Sequence, residues 1–241
     1  MRVITIQVDS LTEANAQIFV TWLLQQQADI ICLQSQTVIT KPLSIKGFQV
    51  YTSSLDHTRV AIYTKSIPKA IMTGLSLGSL ALDARYLQLD FEHISLVSVL
   101  VPEGRLTESA SKQIFLEKLQ LHLIRLLRKR RREFIICGGW RMALRKNDIS
   151  DWRMAQEQEG FSPQEQQWLT QIENAGYIDA FRESNYLSEQ YTGTQEQIQG
   201  RWDYQLTTPA VRHRIIAAKI DSELEVINSS LPTIVDYQLE I

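Results

Sequence analysis

The chain is poor in the residues that cross-link small proteins. Its 241 residues include two cysteines and four histidines, and they lack the paired Cys/His spacing that a zinc site requires. Cys32 and Cys137 each lie inside a short apolar run, which favours buried, reduced thiols over a disulfide. We therefore expect a fold that needs neither a disulfide nor a structural metal, and no cofactor.

Long apolar runs are also absent. No segment approaches the roughly 18 apolar residues of a membrane span, and the first residues lack the apolar core of a secretory signal. We therefore expect a cytoplasmic protein with no membrane contact. No repeat and no Pro/Gly/Ser-rich linker divides the chain, so one domain is predicted over residues 1–241. A domain of this length can bury on the order of 70% of its unfolded surface.

Positive charge is concentrated in one part of the chain. Residues 125–153 hold ten Lys/Arg against three acids, a net charge of +7, whereas the whole chain carries −2 and the remainder therefore −9. Such a cluster favours a polyanion partner, because phosphate contacts position a nucleic acid without reading its bases. A solvated helix end explains many Lys/Arg runs, and that alternative stays open. The predicted RNA- or partner-binding residues are Arg128, Lys129, Arg130, Arg131, Arg132, Arg141, Arg145, Lys146, Arg212 and Arg214.

Strand-like runs, rich in β-branched and aromatic residues, recur along the chain between helical patterns. The predicted strands cover residues 3–8, 30–33, 48–51, 60–64, 86–91, 94–101, 134–137, 202–206, 215–220 and 233–239. Many strands with few helices favour an α/β sandwich around two sheets over a doubly wound parallel sheet.

Three helices are predicted. The first covers residues 12–26 after a cap at Ser10 or Thr12, with Ile18, Trp22 and Leu23 on one face. The second covers about 107–132, with an apolar stripe at i, i+4 spacing and the cations of residues 128–132 in its last turns. The third opens with a capping box, in which Ser162 caps the helix and Glu165 is the reciprocal partner, and it stops at Gly176.

Several short motifs resemble, in order and spacing, the exonuclease III-like endonuclease/exonuclease/phosphatase family. The matching stretches are RVITIQVDS (2–10), DIICLQS (29–35), RVAIYTK (59–65), GGWR (138–141), FSPQE (161–165) with Trp168, YIDAFR (177–182), RWD (201–203) and SSLP (229–232). The resemblance implies a four-layer α/β sandwich with two mixed sheets flanked by helices. Its members cut phosphodiesters with Mg²⁺ and an acid/base pair.

The residues that would perform that chemistry are replaced here. Mg²⁺ prefers hard oxygen ligands, usually including carboxylates. The resemblance places Ser35 where the family has a metal-binding Glu, and Gly139 and Arg141 where it has the Asp and Asn of Gly-Asp-x-Asn. The remaining replaced positions are Gln7 for Asn, Leu100 for Tyr, and Ser229 and Ser230 for the terminal Asp-His pair. Asp203 alone is retained, and we interpret it as a structural acceptor for Arg201 or a nearby amide. We expect no catalytic residue and no metal ligand.

A closer resemblance exists within that family, to the catabolite repression control (Crc) proteins of pseudomonad-type bacteria. It rests on ADIICLQ (28–34), RYLQ (85–88), RRREFIICG (130–138) and WDYQLT (202–207), with Lys146 and Trp152-Arg153. It implies a non-catalytic translational co-repressor in carbon catabolite repression, which joins the RNA chaperone Hfq on A-rich mRNA sites. Weak RNA binding by the isolated protein and self-association within the assembly are further expectations. Gln7, Ser35 and Ser230 depart even from that pattern.

Two other functions stay open. One is a Mg²⁺-dependent exonuclease III-like DNA repair nuclease with rewired ligands, and the other is a protein-interaction module without RNA contact. Trp140 is a candidate for base stacking, although a tryptophan at a strand end is more often packed. His213, between two arginines, is the one histidine in a suggestive context.

Overall fold

The computed structural model describes residues 1–8, 12–224 and 229–241, and it places them around two six-stranded sheets. The strands are β1 (Arg2–Gln7), β2 (Ile30–Gln34), β3 (Gln49–Thr52), β4 (Val60–Thr64), β5 (Ala70–Thr73), β6 (Tyr86–Asp90), β7 (Ile94–Leu100), β8 (Glu133–Gly139), β9 (Ile178–Asp179), β10 (Gly193–Gln195), β11 (Ile198–Gly200), β12 (Asp203–Thr207), β13 (Ile215–Ile220) and β14 (Thr233–Tyr237). The helices are α1 (Glu13–Gln25), α2 (Leu80–Asp83), α3 (Ala110–Leu127), α4 (Trp152–Ala155), α5 (Pro163–Ala175) and α6 (Ala180–Ser184), with 3₁₀ turns at Lys146–Asp148 and Pro209–Arg214.

Both sheets are mixed and have the same plan. The first has the order β13-β14-β1-β2-β4-β3, and the second has the order β5-β6-β7-β8-β12-β9. In each, the two central strands are parallel, β1 with β2 and β7 with β8, and their other neighbours are antiparallel. The short hairpin β10–β11 stands apart from both sheets. All ten predicted strands are present, and β5, β9, β10 and β11 are additional.

Side-chain alternation along the strands builds four layers. Val3 of β1 and Cys32 of β2 face the other sheet, where Cys137 and Leu96 meet them. The next residue of β1, Ile4, faces outward and packs against Phe19 and Trp22 of α1, since successive side chains point to opposite faces. Helices α3 and α5 cover the outer face of the second sheet through Phe115, Leu119, Trp168 and Leu169. The predicted four-layer sandwich is confirmed, as are two buried, unpaired cysteines.

The helix predictions held for α5 and only in part for the others. The α5 capping box is complete, with Ser162 and Glu165 in their predicted roles and Gly176 after the helix. The α1 cap is Thr12, which accepts a hydrogen bond from Asn15 N, whereas Ser10 lies outside the described residues. The predicted face of α1 was wrong at Ile18, which is 54% exposed. The buried face starts one residue later, at Phe19, and runs through positions i+3 and i+4.

The prediction for α3 extended too far in both directions. The helix begins at Ala110 and ends at Leu127, so Arg128 is its C-cap and residues 129–132 lie beyond it. Arg131 adopts φ of 61°, a left-handed conformation that turns the chain towards β8. The cations at 128–132 therefore do not occupy the last helical turns, as the sequence pattern had indicated. No helix among the described residues combines the length and apolarity needed to cross a membrane.

Candidate functional site

The carboxyl ends of the central strands of both sheets meet at one side of the sandwich. Gln7 ends β1, Leu100 ends β7 and Gly139 ends β8, where it pairs with both Leu100 and Asp203. A cleft of about 250 Å³ opens at this place. Its lining combines five of the positions singled out in the sequence with residues that the sequence did not indicate. The cleft is lined by Gln7, Glu103, Arg141, Glu159, Gly193, Thr194, Gln195, Glu196, Trp202, Asp203, Ser229 and Ser230.

Ser35 does not line this cleft. It faces a neighbouring groove of about 230 Å³ between α1 and residues 37–43, and its hydroxyl lies 3.0 Å from that of Thr37. Ser35, which the resemblance grouped with the metal-ligand positions, therefore lies apart from Gln7, Arg141 and the others that line the cleft. The backbone carries it past the end of β2, where its N–H donates to the Arg59 carbonyl.

The resemblance places Gly139 where the family has an Asp, and the surroundings of Gly139 leave little room for a larger residue. A Cβ atom at this position would lie 2.8 Å from Leu100 Cδ1, 3.1 Å from Gln7 Oε1 and 3.4 Å from Asp203 Oδ1. The contact with Leu100 is shorter than packed carbon atoms tolerate. The replacements at 100 and 139 are therefore coupled, because the leucine side chain fills the space that a side chain at 139 would need.

Arg141 is the cation of the cleft, and acids hold it on two sides. Its Nε lies 2.8 Å from Glu159 Oε1 and its Nη2 3.4 Å from Glu159 Oε2, while Nη1 lies 3.6 Å from Glu103 Oε1. The Arg141 side chain is 13% exposed. Its burial lowers the pKa, but the hydrogen bond and charge of Glu159 outweigh burial and raise the pKa above the ordinary value. Arg141 is thus a fixed, permanently charged group.

Glu159 is positioned by a second, fully buried ion pair. Lys112 of α3 has its ammonium 2.6 Å from Glu165 and 3.7 Å from Glu159, and neither Lys112 nor Glu165 is exposed. The other Glu165 oxygen accepts from the amides of Gly160 and Ser162, which fixes the loop that carries Glu159. Burial would raise the pKa of Glu159, but Arg141, followed by Lys112, brings it below the ordinary value. The carboxylate is therefore ionised and held by cations on both sides.

Arg201 does not donate to Asp203, so the Arg201 alternative of that interpretation was wrong, and acceptance from a nearby amide stays a prediction. Arg201 points away from the cleft and forms buried ion pairs with Asp148 and Asp179. Arg182 also pairs with Asp148, and none of these four side chains is more than 6% exposed. Burial would raise the pKa of Asp148, but the two arginines bring it below its usual value. This network anchors the segment just before β12 and thereby sets the position of Asp203.

Two further arginines, Arg85 and Arg59, lie near the cleft, and neither was among the predicted site residues. Arg85 donates to Gln36 Oε1 at 3.3 Å, and its pKa falls to about 10 because of burial and then of the nearby charges of Arg59 and Arg141. Arg85 belongs to the stretch RYLQ (85–88), which contributed only to the family resemblance. Its position in the sequence gave no sign that it approaches Arg59 and Arg141. Glu103, Glu159 and Lys112 were missed for the same reason, since they approach Arg141 only through tertiary folding.

The family implies a Mg²⁺ ion at this place, and the residues here do not fit it. Gln7 and Asp203 offer oxygen donors, but Leu100 and Gly139 have none, and Arg141 supplies a positive charge instead of a ligand. Among the other carboxylates that line the cleft, Glu159 already binds Arg141 and contacts Lys112, and Glu103 also contacts Arg141. Within the described residues, no group of three His, Cys, Asp or Glu side chains is arranged to hold a metal ion.

The basic residues do not converge at the cleft. Arg128–Arg132 precede β8 and Arg141 follows it, and a strand of seven residues separates the two points by about 20 Å. Five exposed cations at the first point form what we call the basic turn, and none of them has an ion pair with another described residue. The basic turn comprises Arg125, Arg128, Lys129, Arg130 and Arg131. The ten cations that are clustered in the sequence therefore do not form one continuous patch in the fold.

Most of the other predicted binding residues are engaged with acids. Arg132 donates to the Phe91 carbonyl at 3.0 Å and lies 3.9 Å from Asp90. Arg145 pairs with Glu173 and Arg212 with Glu183, at 3.2 and 2.8 Å, and both arginines line a charge-balanced pocket of about 270 Å³. By contrast, Arg214 and its neighbour His213 are exposed.

Lys146 and Trp140 complete the predicted set. Lys146 is exposed and places its ammonium 3.8 Å from the ring centre of Trp152. Trp140 is fully buried between Tyr204 and Trp168, and its indole N–H donates to the Tyr204 carbonyl at 3.0 Å. It therefore packs in the core and has no face for a base, as the packed alternative predicted.

Comparisons with known proteins agree with this fold. The chain is 25% identical over 221 residues to an exodeoxyribonuclease of Bacillus subtilis, with 86% of this chain and 87% of that protein covered. It is also 25% identical over 195 residues to the DNA repair nuclease APEX1 of Danio rerio, covering 76% of this chain and 62% of that protein. No family model matches the chain.

Two solved structures superpose along nearly the whole chain. The 3′ phosphatase NExo from Neisseria, bound to a product DNA hairpin, gives a TM-score of 0.87 at 20% identity, covering 99% of this chain and 100% of that one. An AP endonuclease from Archaeoglobus fulgidus gives a TM-score of 0.84 at 19% identity, with the same coverage. The sequence relatives support the predicted resemblance to the exonuclease III-like endonuclease/exonuclease/phosphatase superfamily, and the solved structures show that the fold is shared.

Proposed function

We propose that this protein is a non-enzymatic RNA regulatory protein on a nuclease fold. It acts as a translational co-repressor in carbon catabolite repression and joins Hfq on A-rich mRNA sites. The observation that carries the proposal is the tip of β8, where Gly139 is packed against Leu100 and Arg141 is bound by Glu159. Hydrolysis needs stabilisation of the charge that develops on the phosphate, and the superfamily supplies it with a metal ion. An ion-paired guanidinium and an apolar side chain occupy that place instead.

The basic turn is the surface best suited to contact RNA in such an assembly. Its five cations are exposed and without an ion pair among the described residues, so a phosphate does not have to displace an acid. Binding there releases counterions from the RNA and depends strongly on salt. The rest of the chain is acidic, so the isolated protein binds RNA weakly and gains affinity when Hfq presents the RNA. Protein contacts with Hfq, and self-association within the assembly, supply selectivity.

Co-purification with Hfq tests the proposal. The protein is expected to be retained by tagged Hfq when an A-rich RNA is present and to be lost when the RNA is omitted. Reversal of Arg130 and Arg131 to Glu should weaken retention and reduce its salt dependence, with the far-ultraviolet circular dichroism spectrum unchanged. Reversal of Lys146 should act in the same direction. Absence of the protein from the Hfq–RNA complex at low salt would refute the proposal.

Reversal of Lys41 and Lys46 provides a matched control. Both lysines are exposed, and the double variant changes the net charge by the same amount. They flank Leu43 and Ile45, which pack on the outer face of the first sheet, whereas the basic turn follows α3 on the second sheet. Equal weakening by both double variants would mean that overall charge, and not the basic turn, governs assembly.

A Mg²⁺-dependent exonuclease III-like DNA repair nuclease with rewired ligands is the second candidate. Four carboxylates favour it, because Glu103, Glu159, Glu196 and Asp203 all line the cleft. Pure protein would be incubated with Mg²⁺ or Mn²⁺ and with duplex, abasic and single-stranded substrates. We expect no turnover. Cleavage that persists through purification and disappears in Asp203→Ala would establish the nuclease.

A protein-interaction module without RNA contact is the third candidate, and crosslinking separates it from the first. In an assembly with Hfq and RNA, peptides from residues 125–132 should carry crosslinked RNA. A complex that forms normally and yields no RNA on these peptides would favour contact through protein surfaces alone.

A further inference from the structure

Trp152 differs from the other four tryptophans of the chain. Trp22, Trp140, Trp168 and Trp202 are buried, with at most 7% of their surface exposed, whereas Trp152 is half-buried. It is the first residue of the short helix α4 and packs on one side against the apolar cluster around Ile198 and Phe161. The indole is therefore held in place by the core while part of it remains open to solvent.

Two cations flank this indole. Lys146 Nζ lies 3.8 Å from the ring centre of Trp152, and Arg153 Cζ lies 5.0 Å from it. Both are exposed, and neither forms an ion pair with an acid of the described chain. The adjacent acid, Asp151, is engaged in capping α4, since its carboxylate accepts from the amides of Arg153 and Met154. The two cations therefore lie over the ring without an acid partner among the described residues, and a ligand that draws them aside meets the indole face.

The β10–β11 hairpin separates this group from the cleft. Gly193–Gln195 of β10 lie on the cleft side, and β11 is next to them. The segment that leads to Trp152 pairs with the far side of β11, through Ile149 opposite Gly200 and Ser150 N–H to the Gln199 carbonyl. A ligand can thus reach Trp152 without entering the cleft at the tip of β8.

We infer that Lys146, Trp152 and Arg153 bind one nucleotide of single-stranded RNA. The base stacks on the indole, and the two cations move from the ring onto the phosphates on either side of that base. Every base has a stacking face, and a pre-positioned aromatic ring with adjacent cations is how single strands are held without base-edge readout. A duplex cannot bind in this way because its bases are already stacked. The inference rests on the proposed function and names a second RNA contact, distinct from the basic turn.

Tryptophan fluorescence provides a direct test with the intact protein. Addition of a single-stranded oligoadenylate should quench the emission of the wild-type protein, and a duplex of the same length should quench it far less. The quench should disappear in Trp152→Phe, because the remaining tryptophans are buried. Equal quenching in wild type and Trp152→Phe, or none at micromolar to millimolar oligoadenylate, would overturn the inference.

Affinity within the assembly gives a second measurement. With labelled A-rich RNA and Hfq, Trp152→Ala should raise the dissociation constant of this protein about tenfold. Trp152→Phe should keep most of the wild-type affinity, because phenylalanine also offers a stacking face. Lys146→Ala/Arg153→Ala should weaken binding similarly and reduce its salt dependence, and both side chains are exposed, so folding is preserved.

The outcomes separate this inference from the proposed function. An assembly that forms normally in all three variants keeps the co-repressor proposal and refutes the Trp152 site. Quenching by oligoadenylate in the absence of any Hfq–RNA assembly keeps the site and refutes the co-repressor proposal. In the third outcome, the variants no longer bind Hfq in the absence of RNA, and oligoadenylate does not change the fluorescence of the wild-type protein. This surface would then bind protein, and the inference would be overturned.

Discussion

The ion pair between Arg141 and Glu159 should contribute measurably to stability, and this is the prediction that most directly tests the role of the cleft. Arg141→Gln removes a guanidinium that makes two hydrogen bonds to Glu159, with both side chains mostly buried. Breaking a buried pair typically costs about 3–5 kcal/mol, and we expect about 3 kcal/mol here because Lys112 still offsets part of the Glu159 charge. The contact with Glu103, which is more than half exposed, should add less than about 1 kcal/mol.

Urea unfolding of the wild type and three variants separates the free energy of the Arg141–Glu159 interaction from the effect of removing each side chain. Wild type, Arg141→Gln, Glu159→Gln and the double variant form a cycle, and we expect a coupling free energy of about 2 kcal/mol at pH 7. Because Arg141 lowers the pKa of Glu159 in the folded protein, the stabilisation is present above the unfolded pKa of about 4.3. It is lost as the pH falls through the lower folded pKa. The coupling should therefore shrink towards zero as the pH is lowered below that unfolded value.

The exposed pair of Arg105 and Glu108 provides the control cycle, in which we expect a coupling of at most about 0.5 kcal/mol. A coupling of the same small size for Arg141 and Glu159 would refute the reasoning. Arg141 would then be a guanidinium free to bind phosphate, as the sequence analysis had expected, and the cleft would regain a role in RNA contact.

Three further predictions concern other parts of the molecule. Gly139→Asp should not create Mg²⁺-dependent cleavage, and a gain of metal-dependent turnover would contradict this prediction. Because the new Cβ atom contacts Leu100, the substitution should lower the free energy of unfolding by about 1–3 kcal/mol in urea titrations. Asp148→Asn should cost about 3–5 kcal/mol at pH 7, because it leaves Arg182 and Arg201 with an unpaired buried charge. Since the pKa of Asp148 is lowered in the folded protein, the carboxylate stabilises the fold above about pH 4, and this stabilisation disappears on acidification. In an acid-unfolding series, the difference in free energy of unfolding between wild type and Asp148→Asn should therefore narrow below that pH. Neutralising two cations of the basic turn should reduce the slope of log affinity against log salt for the Hfq–RNA assembly by about 1–2, and an unchanged slope would exclude direct phosphate contact there.

Helices and strands that are stabilised mainly by residues within the element itself were predicted from the sequence. The α5 capping box needs only residues 162–165, and β1 and β2 are short runs of mainly apolar, β-branched residues, so these elements were predicted correctly. The short strands β5 and β9–β11 were missed. They are two to four residues long, and β5 is an edge strand with mostly exposed side chains, so pairing with a neighbour defines them more than their own composition does.

The basic residues show most clearly what could not be predicted from the sequence. Ten cations within 29 residues are close in sequence, but a strand is extended, and β8 carries the chain about 20 Å between Arg132 and Arg141. The ion pairs of the cleft and its surroundings join residues that are 18 to 53 positions apart, such as Arg141 with Glu159 and Lys112 with Glu165. Sequence proximity could not indicate these partners, and they decide which cations remain available to a ligand.

The sequence by itself determined the layered α/β class and ten of the strands that the structure describes, because each depends on residue identity or on short-range periodicity. Only the tertiary structure decided that Leu100 fills the space beside Gly139, that Glu159 binds Arg141, and that two cations lie over the half-buried ring of Trp152. Those facts depend on which distant side chains share a volume and a charge environment, and packing fixes them only when the sheets and helices come together.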